Sequence, residues 1–101
     1  MTEVPSRALF EDALRRGTFR DLANQLRDQG LGQVAIYVLF ESFARMLRDE
    51  DRETDSDTVA DGALDYIWGF CSKDRMWFNE GLTDEKVNAF RRANNGSLKL
   101  G

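Results

Sequence analysis

The spacing of apolar residues along the chain predicts helices, because apolar positions recur every three or four residues. No stretch alternates apolar and polar residues for long enough to predict a strand. Gly17 and Gly30 follow the first two apolar-periodic segments and are typical of helix ends. The pattern predicts helices over about residues 5–16, 18–30, 33–49, 57–72 and 83–94.

The third predicted helix has the broadest apolar arc of the five. Its polar strip is narrow and contains Glu41, Arg45 and Arg48. A helix with so wide an apolar arc has to be buried on most sides. The apolar arc consists of Ala35, Ile36, Leu39, Phe40, Phe43, Met46 and Leu47. The sequence therefore predicts an all-α, single-domain bundle of four main helices and a short one, packed around this central helix over about residues 33–49.

The boundaries between the helices rest on local signals. Thr18 precedes Asp21 by three residues, which is a capping-box spacing, and Thr83 stands at the predicted start of the last helix. The run DEDRETDSD over residues 49–57 is almost entirely charged or polar, and we interpret it as a solvated acidic linker. Residues 96–101 are expected to form a frayed tail, and the whole of 1–101 to form one domain.

The charge of the chain is concentrated in its middle. The net charge is −4, and residues 31–72 carry nine acids against three Arg, a local net charge of −6. Such a segment repels a phosphate backbone, so nucleic-acid binding is disfavoured. An acidic segment instead suits a partner protein with a basic surface.

The residue inventory restricts the chemistry that is open to the chain. It has no histidine and a single cysteine, Cys71, so it offers neither a Cys–His nucleophile pair nor a zinc site, and no internal disulfide. The longest apolar run, VAIYVLF at 34–40, is too short to span a bilayer. We therefore expect a cytoplasmic protein that is not an enzyme and has no cofactor, metal or membrane partner.

Clustered carboxylates raise two further possibilities. The loop from Asp49 resembles a calcium-binding loop in its acid content, but Thr54 and Ala60 stand where glycine and glutamate are needed. Asp61 and Asp65 share one wet helix face, which gives neither of them the apolar surroundings that an acid catalyst requires. Both patterns favour a solvated acidic face.

The fourth predicted helix carries the main candidate surface. At about 100° per residue, Asp57, Asp61 and Asp65 form one stripe, and Trp68 falls inside it at the rim of the apolar arc. Trp68 is then either a residue at the edge of the core or an interface anchor in polar surroundings. Gly62 and Gly69 lie on the side away from the acids and predict a close approach by another helix or by a partner.

A second apolar candidate is the MWF segment, Met76–Phe78, which forms either a lid on the core or an exposed contact. The predicted partner-binding residues are Asp57, Asp61, Asp65, Trp68 and Trp77. The alternative hypothesis is a structural homodimer that uses the Gly62/Gly69 surface or Met76–Phe78.

The last residues, FRRANNGSLKLG, are similar to colicin-type immunity proteins over about a dozen positions, but the aromatic and acidic motif of that family does not occur here. The chain is therefore not assigned to that family. The sequence favours a non-enzymatic, acidic, protein-binding module, which would be an adaptor, an inhibitor or an immunity-like protein.

Overall fold

The computed structural model describes residues 7–68 and 81–93. Within these ranges the chain forms helices and no strand, which confirms the predicted all-α class. The α-helices are α1 (Arg7–Arg16), α2 (Phe19–Asp28), α3 (Gln33–Asp49), α4 (Glu53–Val59), α5 (Asp65–Trp68) and α6 (Asp84–Ala93). A π-helical segment, Ala60–Leu64, joins α4 and α5 into one continuous helical element.

Helix α3 is the centre of the bundle, as its broad apolar arc predicts. It contacts each of the other five α-helices and the π segment. Phe40 is fully buried, and its ring packs edge-on against Phe10 of α1 and Phe19 of α2, with centroids 4.9 Å and 5.8 Å apart. Edge-to-face pairs stabilise a core beyond the area they bury.

Helix α3 lies directly against α1, α2, α4, α5, α6 and the π segment, so each of these elements buries its apolar side on the same helix. This arrangement confirms the predicted packing around residues 33–49. Most of the predicted arc is buried, whereas Met46 is only half-buried. The fully buried side chains of α3 include Ile36, Leu39, Phe40, Phe43 and Leu47.

The local signals for helix ends agree with the structure at Gly17, Gly30 and Thr83 and fail at Thr18. Gly17 and Gly30 have φ angles of +70° and +96°, a left-handed conformation that glycine adopts without steric cost. Thr83 Oγ1 accepts a hydrogen bond of 3.2 Å from the Lys86 backbone N–H, as expected of a cap. The Thr18 side chain makes no capping hydrogen bond, so the predicted capping box with Asp21 is wrong. Thr18 has φ −111° and ψ 37°, outside the extended conformation typical of a cap.

The predicted acidic linker over residues 49–57 is also wrong in extent. Helix α4 begins at Glu53 rather than Asp57, and only residues 50–52 separate it from α3. The reason is Ser56, which is 2% exposed and whose Oγ donates a hydrogen bond of 2.8 Å to the Ala44 carbonyl. A small polar residue can be buried when its hydroxyl has such a partner, and the surrounding acids then remain outside.

The π segment is the part of the fold that no sequence pattern indicated. The Asp65 N–H donates to the Ala60 carbonyl, five residues earlier, instead of four as in an α-helix. Gly62 lies in this segment against Phe19, and a Cβ atom at Gly62 would lie 3.4 Å from Phe19 Cδ2. The close approach predicted for Gly62 is therefore made by the same chain. Gly69, Met76–Phe78 and the predicted tail lie outside the described residues.

Candidate functional site

An acidic stripe runs along the outer face of α4 and into the π segment. It consists of Glu53, Asp57 and Asp61, which are spaced four residues apart and are all exposed. None of the three forms an ion pair with another residue in the described ranges. Like charges at this spacing destabilise a helix by about 0.2–0.5 kcal/mol per pair. The stripe therefore carries negative charge that the described part of the bundle leaves uncompensated.

The helical element that carries the acidic stripe is packed against the core through its inner face. Val59, Ala63 and Ile67 lie on its inner side and are each 0% exposed. Gln33 adds a hydrogen bond of 2.9 Å from its side-chain amide to the Ile67 carbonyl. Because packed side chains fix the orientation of the helix, its outer carboxylates form a preorganised surface.

Asp65 is less exposed than the sequence predicts, and Trp68 lies at the edge of the core, one of the two positions left open for it. Asp65 and Trp68 are both half-buried, and Trp68 packs against the core. Its ring lies against that of Tyr37, with centroids 5.1 Å apart and an interplanar angle of 59°. The structure thus places Asp57 and Asp61 in the open and Asp65 and Trp68 at the border of the core. Trp77 lies outside the described residues.

The Tyr37–Trp68 pair lines a cleft of about 250 Å³ between α3, α5 and α6. A backbone hydrogen bond joins the segment before α6 to the end of α5 beside this cleft: the Leu82 N–H donates to the Trp68 carbonyl at 2.8 Å. We call this feature the aromatic cleft. Its lining residues are Tyr37, Glu41, Trp68, Asp84, Val87, Asn88 and Arg91.

The charges in the aromatic cleft are only partly paired. The Glu41 carboxylate forms ion pairs with Arg91 and, at 3.7 Å, with Arg45. Asp84 is exposed and forms no ion pair within the described ranges. Burial raises the pKa of Tyr37 above its usual value, and the negative charges of Asp65 and Asp84 act in the same direction. The aromatic rings therefore lie close to two carboxylates, Asp65 and Asp84, that form no ion pair with residues 7–68 and 81–93.

A second cavity, of about 560 Å³, lies between α1 and α4. Its charged groups are largely satisfied, because Arg52 donates to Glu11 at 3.1 Å and to Asp55 at 3.0 Å. Glu11 Oε1 is buried without a hydrogen-bond partner in the described part of the chain. We interpret the ion-paired cluster of Glu11, Arg52 and Asp55 as a structural contact that joins α1 to the start of α4. Its lining residues are Glu11, Leu14, Arg15, Arg52, Asp55 and Thr58.

Two kinds of feature are not found in residues 7–68 and 81–93. No group of three or more histidine, cysteine, aspartate or glutamate side chains there is placed to hold a metal ion. No helix within those ranges has both the length and the apolarity to cross a membrane. Comparisons of the chain with protein-family models, with curated proteins and with solved structures give no match.

Sequence reasoning missed several residues of these surfaces. Glu53 stands four residues before Asp57, a spacing visible in the sequence, but the predicted linker over residues 49–57 includes it. Tyr37 belongs to a helix that is predicted to be buried on most sides, and Asp84 gives no functional signal in the sequence. Arg91 lies in the segment FRRANNGSLKLG, but nothing in that segment indicates a contact with Glu41. Only the packing of α6 against α3 brings Arg91 to Glu41, and no spacing rule reports such a contact.

Proposed function

We propose that this protein is a cytoplasmic, non-enzymatic binding module that docks on a basic surface of another protein. The observation that carries the proposal is the acidic stripe of Glu53, Asp57 and Asp61, which is exposed and has no cation paired to it in the described ranges. Asp65 and Trp68 continue the proposed surface at its inner border. Trp77 remains a predicted contact.

The energetics of the stripe support an interaction with a cationic partner. The repulsion between neighbouring carboxylates is relieved when a basic surface approaches, so association gains energy that the free protein lacks. Complementary charge also accelerates the encounter, and this effect weakens as salt screens it. The half-buried Trp68 adds an aromatic group beside the charges, and aromatic residues are enriched in the central contacts of interfaces.

The test compares two double variants that change net charge equally. Asp57→Asn with Asp61→Asn removes two charges of the stripe, whereas Asp21→Asn with Asp28→Asn removes two exposed charges from α2. Each variant and the parent protein serve as bait in affinity capture from native lysate, and captured partners are then purified and titrated. We expect the stripe variant to lose affinity for the principal partner and the α2 variant to retain it.

The salt dependence of the same titration provides a second readout. Affinity of the parent protein should fall as ionic strength rises, and the stripe variant should show a shallower dependence. Equal capture and equal salt dependence for both variants would refute the proposal.

A further inference from the structure

We propose that the aromatic cleft receives one arginine side chain of the basic partner, held between the Tyr37–Trp68 rings and the Asp84 carboxylate. This inference rests on the proposed function and specifies the contact that would anchor the partner. Four features of the cleft support it: its size, its rings, its charge and its position next to the stripe.

The size of the cleft suits a side chain rather than a cofactor. Its volume is about 250 Å³. Pockets that take drug-sized molecules or cofactors have volumes of about 300–1,000 Å³. A single long side chain that projects from a partner surface needs less room and enters from the open side.

The rings provide the surface on which a guanidinium group binds well. Tyr37 and Trp68 are both half-buried, so they combine fixed positions with accessible edges or faces inside the cleft. A guanidinium group is planar and weakly hydrated, and it stacks on aromatic rings through cation–π attraction. This chemistry favours arginine over lysine, whose ammonium group is compact and strongly hydrated.

The charge distribution in the cleft also favours a cation. Arg91 is the cation already present, and it is ion-paired with Glu41. Asp84 lines the same cleft, is exposed and has no ion pair in the described ranges, and its two oxygens match the fork of a guanidinium group. Asp65 adds a further negative charge close to Tyr37.

The position of the cleft connects it to the acidic stripe. Asp61, Asp65 and Trp68 follow one another along the continuous helical element formed by α4, the π segment and α5, so this element leads from the exposed stripe to the half-buried rings. A partner whose basic residues lie along the stripe would therefore bring its next side chain to the mouth of the cleft.

The experiment titrates the ¹⁵N-labelled full chain with N-acetyl-arginine-methylamide and follows the amide spectrum. The neutral isostere N-acetyl-citrulline-methylamide and the lysine analogue are titrated in parallel. We expect saturable shifts of the Trp68 indole N–H and the Asn88 side-chain amide with the arginine probe, and weaker binding of both analogues. Asp84→Asn should weaken arginine binding by about fivefold, which corresponds to about 1 kcal/mol for an exposed charge-assisted contact.

The control variant is Glu85→Gln, which removes an exposed charge next to Asp84 that does not line the cleft. It should leave arginine affinity unchanged. Three results would overturn the inference: no saturable shift with the arginine probe, equal or tighter binding of the citrulline or lysine probe, or equal affinity for the Asp84→Asn and parent proteins. Spectra of the variants without probe establish that each retains the fold.

The outcome separates this inference from the proposed function. Loss of partner capture in the Asp57→Asn, Asp61→Asn variant, together with no arginine binding, refutes the cleft contact alone. Arginine binding at the cleft, together with unchanged capture by that variant, refutes the role of the stripe and leaves the cleft contact standing.

Discussion

Arg7 and Glu50 form a two-pronged ion pair in which each of two guanidinium nitrogens donates a hydrogen bond of 2.6 Å to a different carboxylate oxygen. The pair joins the first turn of α1 to the residue that follows α3, 43 positions later in the chain. Bidentate geometry makes this contact stronger than an ordinary surface ion pair. The pair thus links α1 to the short connection between α3 and α4.

The first prediction concerns the pH dependence of this pair. The hydrogen bond from Arg7 is the largest influence that lowers the pKa of Glu50 below its usual value of 4.5. A carboxyl group whose pKa is lowered by folding stabilises the protein above its unfolded pKa, and that contribution disappears as the pH falls through the folded pKa. Glu50→Gln should therefore lower the melting temperature at neutral pH, and the difference from the parent protein should shrink below pH 4.5.

The matched control for this prediction is Glu53→Gln, which removes an exposed glutamate that forms no ion pair in the described ranges. Thermal unfolding of the three proteins, monitored by circular dichroism across acidic and neutral pH, measures the effect. A Glu50→Gln melting temperature that stays at a constant distance from the parent value at all pH values would contradict the prediction.

The second prediction uses the same substitution at two glycines with opposite expected signs. Gly62→Ala places a methyl group at ordinary van der Waals distance from Phe19 and removes a glycine from a helix, so it should stabilise the fold by about 0.5–1 kcal/mol. Gly17→Ala forces a side chain into a left-handed conformation and should destabilise the fold by about 1–2 kcal/mol. Chemical denaturation of both variants provides the two free energies of unfolding.

If Gly62→Ala is destabilising, the prediction is wrong, and the ring of Phe19 is unable to shift enough to accommodate the added methyl group. The larger Gly62→Leu substitution should be destabilising in either case, because its side chain would have to displace the ring of Phe19. The series therefore measures how closely the π segment approaches α2.

The third prediction compares two hydroxyl groups on α4. Ser56 Oγ is buried and donates to the Ala44 carbonyl, whereas the Thr58 hydroxyl is exposed and donates to the Thr54 carbonyl within its own helix. Both substitutions to alanine gain similar helix propensity, so the difference between them isolates the buried contact. We expect Ser56→Ala to be less stable than Thr58→Ala by about 1 kcal/mol in chemical denaturation. Equal stabilities would mean that the buried hydrogen bond contributes no net free energy.

Ser56 also shows which parts of the fold are predictable from the sequence. Long periodic apolar segments predicted α3 correctly, because its residues are buried on most sides and their spacing records that burial. Ser56 has no such signature, since a polar residue in an acidic run is buried only because the Ala44 carbonyl lies opposite it. The start of α4 thus depends on a tertiary contact rather than on local spacing.

The candidate site, like the fold, was predictable from the sequence only in part. Asp57 and Asp61 are exposed as helical spacing predicts, because Asp57 precedes the π segment and Asp61 is only its second residue. Each π turn contains more residues than an α turn, so the error of a constant angle per residue grows along Ala60–Leu64 and is largest for the residues that follow it. Trp68 lies half-buried against Tyr37 at the edge of the core, which is one of the two positions that the sequence left open for it.

The last prediction concerns Tyr37 and connects the core edge with the aromatic cleft. Burial is the main reason that the pKa of Tyr37 is raised above 10.0, and Asp65 and Asp84 raise it further while Arg91 opposes them. In a Tyr66→Phe background Tyr37 is the remaining tyrosine, so ultraviolet titration of the phenol follows it alone. We expect a pKa above 10.0 in that background, and a lower value when Trp68→Leu exposes the ring or Asp65→Asn removes a neighbouring charge. The control is Glu85→Gln, since Glu85 does not line the aromatic cleft and is not among the charges that shift the pKa of Tyr37. If neither Trp68→Leu nor Asp65→Asn moves the Tyr37 titration, the placement of Tyr37 beside Trp68 and Asp65 is contradicted.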